Sequence, residues 1–155
     1  MTETLTDITG PQGRQLITFH VRDQEYCVDI EAVREIRVWT PATSLPQAPA
    51  YVSGVMNLRG AVLPVVDMAV RLGLPKAAET ARQVIIVVWI GRQLVGLVVD
   101  SVSEILAAPD EAFQTTPEMG AETLNVLVGR LLTIDDRLVG LIALDRLLPA
   151  AEAAA

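Results

Sequence analysis

Cysteine is nearly absent from this chain. Cys27 is the only one, so no internal disulfide can form and a fold stapled for an oxidising compartment is excluded. Histidine is equally scarce: His20 has no second histidine and no cysteine at ligand spacing, which leaves no metal-ligand set and makes a solvated side chain the plainer account. Trp39 and Trp89 are the only tryptophans, too few and too sparsely accompanied by basic residues to form a stacking platform for a single strand. Positive charge is in the minority, with 12 Lys+Arg against 19 Asp+Glu and a net charge of −7. That balance repels phosphate backbones and anionic lipid, so nucleic acid is not an expected partner. The longest uncharged strand-like run, VIIVVWIG at 84–91, is stopped by Arg92 and falls far short of the roughly 20 residues of a membrane-spanning helix. No direct membrane insertion is expected. The start, MTETLTDITGPQG, has neither a basic n-region nor an apolar stretch. Residues 1–14 therefore read as a flexible tail, 150–155 as another, and the chain as cytoplasmic.

Catalytic constellations are missing as well. Cys27 shares a strand face with Glu25 and Asp29, whose charges raise a thiol's pKa and blunt it as a nucleophile. Asp67, Asp100 and Asp145 each follow a strand-like run. Each is also read as preceding a helix-compatible segment, so capping explains all three more plainly than an acidic catalytic or metal cluster does. There is no phosphate-binding Gly-rich loop with its Lys, no nucleophile elbow and no dinucleotide fingerprint. A non-enzyme without metal or cofactor is the expectation. A ligand-sensing barrel and a hydrolase remain as alternatives, the first needing converging inward polar groups and the second a nucleophile with its base.

What the chain does have is apolar residues, 51% of 155, enough for one domain or two small units sharing a core. In QLITFHVR (15–22), Ile17, Phe19 and Val21 share one face, and in EYCVDI (25–30) Tyr26, Val28 and Ile30 do the same, which predicts a hairpin. Three more follow, with turns at Arg59-Gly60, at Gly91-Arg92 with Gln93, and at Asp135-Asp136. Pro41, Pro46 and Pro49 make 40–50 a loop, and PKAAETAR (75–82) is a polar connector. Laying 15–36 on 84–105 without a gap matches Ile17 with Ile86, Gln24 with Gln93, Val33 with Val102, Glu35 with Glu104 and Ile36 with Ile105. The shared order of hairpin, VREI or VSEI, loop, second hairpin, Asp and short helix predicts two related β-rich units. Each reads as a small barrel, because closing a short sheet removes its edges. Subdomain 1 is placed at about 15–74 and subdomain 2 at about 83–149, with exchange of strands between them left open. Strands of the second half are apolar at both parities, as expected of strands covered on both faces.

GVMNLRGAVLPVVDMAVRLGL (54–74), preceded by EYCVDIEAVREIRVW and followed by VSEIL, resembles the CheW family of bacterial chemotaxis adaptors over about residues 15–149. The spacing of G-V-x-N-L-R-G and P-V-x-D carries the likeness. Cys27 departs from the glycine that relatives often place there, but keeps a small residue. The resemblance implies a mainly β fold of two pseudo-symmetric five-stranded Src-homology-3-like barrels and no catalysis. It implies a scaffold bridging the cytoplasmic tips of chemoreceptors to the regulatory domain of the kinase CheA, with other copies of the adaptor as further partners in array rings. Recruitment to the inner face of the membrane would then run through the receptors.

By motif, the resemblance assigns Val33, Glu35, Gly54, Asn57 and Arg59 to the receptor face. From the residues alone, Arg59 paired with Glu35 or simply in water is the plainer account, because exposed ion pairs contribute only about 0–1 kcal/mol. Gly54 and Gly60 are read as backbone requirements, Gly60 for positive φ in the turn. The kinase face is expected on the second unit at Leu94, Leu97, Val99 and Val102, with their reading as barrel core open beside it.

Overall fold

A computed structural model describes residues 13–75, 82–115 and 127–148. Most of the expected tails and connector lies outside the described residues. Alternating sequence becomes β structure throughout: β1 (Arg14–Val21), β2 (Gln24–Asp29), β3 (Val33–Val38), β4 (Val52–Leu58), β5 (Ala61–Asp67), β6 (Val84–Ile90), β7 (Gln93–Val99), β8 (Ser101–Ala108), β9 (Phe113–Thr115), β10 (Val128–Ile134) and β11 (Arg137–Ile142). One short helix, α1 (Met68–Arg71), follows β5. The strands form a six-stranded sheet of order β8-β1-β2-β11-β10-β9 and a five-stranded sheet of order β3-β6-β7-β5-β4. The fold is mainly β, as expected, and the sixth strand of the larger sheet is the three-residue β9.

Neither sheet coincides with a sequential half. β1 and β2 pair with β8 and β11, while β3, β4 and β5 pair with β6 and β7. Two parallel pairings tie the pieces together, β5 beside β7 and β11 beside β2. Every other pairing is antiparallel: β1 with β8, β3 with β6, β9 with β10, and the hairpins, whose turns hold positive φ at Arg22, at Arg59 and Gly60, at Gly91, and at Asp135 and Asp136.

Three apolar clusters explain why the second-half strands lack polar faces. Ile85 and Val87 of β6 join Met56, Leu58, Leu63, Val65 and Val98 in a cluster drawn wholly from the five-stranded sheet. A flat sheet cannot pack one face against itself, so this sheet is curled around its own filling. Leu16, Cys27, Ala108, Phe113, Leu132 and Val139 do the same in the other sheet. Ile86, Val88 and Ile90, on the opposite face of β6, meet Ile17, Phe19 and Val21 of β1 in a larger core shared by both sheets. Each fully buried side chain of this size contributes about 1.5–3 kcal/mol, and neither curled sheet keeps that shared face covered without the other.

The internal repeat is visible in details that composition cannot produce. The register of β3 on β6 shifts between Val33 and Glu35, and that of β8 on β1 shifts at the matching place, between Val102 and Glu104. β4 on β5 shifts after Val52↔Val66, and β10 on β11 after Val128↔Ile142. The Asp67 N–H donates to the Tyr51 carbonyl at 2.8 Å, and the Ala143 N–H to that of Leu127 at 2.8 Å. Asp67 thus corresponds to Ala143, not to Asp145.

Candidate functional site

The turn singled out by G-V-x-N-L-R-G is built from its own residues. Arg59 has φ +51 and Gly60 φ +92, the two positive angles of the tight turn whose twist matches a hairpin. A Cβ on Gly60 would meet nothing, so backbone conformation, not space, calls for glycine there. The Asn57 side-chain oxygen accepts the Gly60 N–H at 2.9 Å. Asn57 therefore holds the turn that presents Arg59.

Arg59 donates to the Glu35 carboxylate, and Arg37 donates to the same group at 3.0 Å. Two guanidinium groups on one carboxylate, Arg59 first and Arg37 second, hold the Glu35 pKa below the usual carboxylate range. The Arg59 side chain keeps 60% of its surface, against 24% for Glu35. This ion pair is the plainer account anticipated for Arg59, and it leaves the planar donor fork accessible. On the other face of β3, Ile36 and Val38 are exposed at 44% and 76%, apolar surface the sequence reading did not single out. Their alternation with Glu35 and Arg37 was its only signal. Val33 is half-buried at the rim of the shared core.

Gly54 differs from the others. It is buried, has φ +151, and a Cβ there would lie 2.1 Å from the Thr43 carbonyl oxygen. Thr43 and Val55 exchange hydrogen bonds of 2.9 and 2.8 Å, so the proline-rich loop is laid directly on β4. The backbone requirement expected for Gly54 is present, and a direct contact with a partner is not available to it.

The expected kinase face is corrected in part. Leu97 and Val99 are 0% and 1% exposed and belong to the core shared by the sheets; β7 lies inside its sheet, between β6 and β5, so neither side chain reaches a partner. Leu94 and Val102 are half-buried against the cores. Apolar surface is instead found where the sequence reading placed none, in a groove lined by Leu45, Pro46, Pro49, Val55, Val62 and Pro64, with Val62 67% exposed.

Asp67 caps α1, accepting the N–H groups of Ala69 at 3.0 Å and Val70 at 3.4 Å. Asp145 and Asp100 do not cap: Ala143 occupies the N-cap position of the 144–146 turn, which has no side-chain cap, and Asp100 runs directly into β8, its carboxylate accepting the Arg22 N–H at 2.7 Å. The repeat places alanine where the first unit has aspartate, and Asp145 lies exposed inside the turn.

The second unit carries a counterpart to the Glu35 cluster. Arg137 donates to Glu104 at 2.8 Å and to Glu25 at 3.2 Å, one cation shared by two carboxylates where the first unit shares one carboxylate between two cations. Among the described residues no group of three or more His, Cys, Asp or Glu is placed to hold a metal ion, and no helix is long and apolar enough to cross a membrane. His20 Nδ1 lies 2.8 Å from the Ser103 hydroxyl.

Comparison with known proteins agrees with the geometry. The CheW-like domain family matches residues 15–152. A probable chemotaxis protein CheW of Rhizobium etli is 51% identical over 142 residues, covering 92% of each chain. The chemotaxis protein CheW of Rhizobium meliloti is 51% identical over 140 residues, covering 90% of each. The crystal structure of the scaffolding protein TtCheW from Thermoanaerobacter tengcongensis superimposes with a TM-score of 0.81 at 28% identity, covering 87% of this chain and 92% of that one. A double curled sheet with matched bulges, the LRG turn and a family match over residues 15–152 together make this chain a member of the CheW-like domain family.

Proposed function

We propose that this chain is a non-catalytic scaffold of bacterial chemotaxis, coupling the cytoplasmic tips of chemoreceptors to the CheA kinase. The observation that carries the receptor face is the Arg59–Glu35–Arg37 cluster on the strand that also exposes Ile36 and Val38. A guanidinium fork that keeps most of its surface, on an edge strand whose other face exposes aliphatic side chains, offers an α-helical tip directional bonds with apolar area across the edge. Val33, Glu35, Asn57 and Arg59 form that face, with Gly54 acting beneath it through the loop. For the kinase regulatory domain, Leu94 and Val102 remain, joined by the groove around Val62, whose lining includes Gln93 beside Leu94. The protein would work in the cytoplasm, held at the inner membrane face by the receptors it binds.

Binding of a receptor signalling tip and of the CheA regulatory domain, titrated separately by calorimetry, tests the assignment. Both bind the wild type; Arg59→Ala weakens the receptor tip alone, and Val62→Asp the kinase domain alone. Wild-type receptor affinity in Arg59→Ala would refute the receptor face.

A further inference from the structure

The two hairpin turns of the five-stranded sheet lie at one end of its barrel. β5 and β7 run parallel side by side, each directly after its turn, and the register Val65↔Gly96 carries back to set Arg92 level with Ala61. The Arg59-Gly60 and Gly91-Arg92 turns therefore rim the same mouth.

Trp89 stands in that mouth. Ile85 and Val87 of β6 are fully buried in the barrel filling, and Trp89, two residues on, continues their face. There the filling ends, and the indole keeps 42% of its surface. Leu94, opposite it on β7, is half-buried against the same filling. Glu35 pairs with Val87 and so shares this face, and Arg59 reaches Glu35 across the seam. Ile36 and Val38 point to the other side of β3. Trp89 is thus apolar surface that a partner seated on Arg59 and Glu35 reaches without crossing the edge.

The rim is basic in an acidic protein. Arg34, in the bulge between Val33 and Glu35, and Arg92, in the turn after Trp89, are exposed, and neither forms an ion pair among the described residues. With Arg37 and Arg59 they outnumber Glu31 and Glu35 at this end, while the whole chain carries −7. Such a surplus selects a partner that brings carboxylates.

We propose that Trp89 is the apolar anchor of the receptor face: an amphipathic helix of the receptor tip lays an apolar side chain on the indole and a carboxylate on the guanidinium fork of Arg59, with Arg34 and Arg92 drawing it in. This deepens the receptor reading given above and rests on it. The spacing suits a helix. Trp89 lies about 7 Å along β6 from Val87, and β6 about 5 Å from β3, a separation matched by side chains one to two turns apart at about 5.4 Å per turn. Tryptophan and arginine are also the residues that carry most of the energy in such contacts, the first through its large rigid area and the second through its fork.

Fluorescence and calorimetry test it together. In Trp39→Phe, Trp89 is the single indole. Saturation with a tryptophan-free receptor signalling tip shifts its emission to the blue and cuts quenching by acrylamide at least about twofold, as burial of the ring requires. Trp89→Ala weakens the tip at least about tenfold, leaves the CheA regulatory domain within about twofold, and Trp89→Phe recovers most of the loss. Arg92→Glu weakens the tip and flattens its salt dependence. If Arg59→Ala weakens the tip while Trp89→Ala does not, or while the Trp89 emission of Trp39→Phe stays unmoved at saturation, the anchor is overturned and the receptor reading stands. A wild type that fails to bind the tip, or a Trp89 emission that answers to the kinase domain in place of the tip, overturns both.

Discussion

Arg59, at the tip of the β4–β5 hairpin, donates to Glu35 on β3, although β3 and β4 stand at opposite ends of their sheet's strand order. The contact exists because the sheet curls around Met56, Leu63, Val65, Ile85 and Val87. The ion pair is therefore a consequence of barrel curvature, which brings the β4–β5 turn back to β3.

Gly54 and Arg59 differ in what their side-chain positions do for the fold. Gly54→Ala drives a Cβ into the Thr43 carbonyl at a backbone angle that suits only glycine, and destabilises by about 1–3 kcal/mol or more. Arg59→Ala removes an exposed end of an ion pair and stays within about 0.5 kcal/mol of wild type. Urea unfolding of the two variants measures the difference.

Acid acts on Glu35 late. Its pKa is depressed by Arg59 and then Arg37, so the contribution of the pair is complete above the ordinary carboxylate pKa of about 4.3 and is lost as pH falls through the lower, folded value. An NMR titration of the Glu35 side-chain carbon gives a midpoint below the ordinary one. In Arg59→Ala that midpoint moves up.

Cys27 stays unreactive at neutral pH. Burial, and then the nearby Glu25 carboxylate, push its thiol up to about 12, so almost no thiolate is present. A chromogenic thiol reagent labels the native protein only at the rate of unfolding, and one equivalent at once in denaturant.

Two of the capping candidates, Asp67 and Asp145, part company. Asp67→Ala strips a buried acceptor from two N–H groups of α1 and lowers stability by about 1–2 kcal/mol. Asp145→Ala, on an exposed side chain with no capping bond, changes it by less than about 0.5 kcal/mol. Thermal denaturation of both distinguishes them.

Hairpins, their turns and the repeat were legible because each is local: alternation at period two, Gly or Asp at positive φ, and residues matched at a fixed spacing. The Arg59 turn and the Asp67 cap were legible for the same reason, since Asn57, Gly60, Ala69 and Val70 all lie within three residues of the group they serve. Burial on both faces of β6 and β7 was also written in their composition.

Tertiary structure alone decided which strands share a sheet, because parallel pairing of β5 with β7 and of β11 with β2 joins segments distant in the chain. It placed Leu97 and Val99 in the shared core, a choice between two apolar faces that alternation cannot make. It gave Gly54 its task, which depends on a backbone crossing from Thr43. It also turned one repeat into two unlike edges, basic at Arg37 and acidic at Glu104, since charge at an edge has meaning only once the order of strands has fixed which ones are edges.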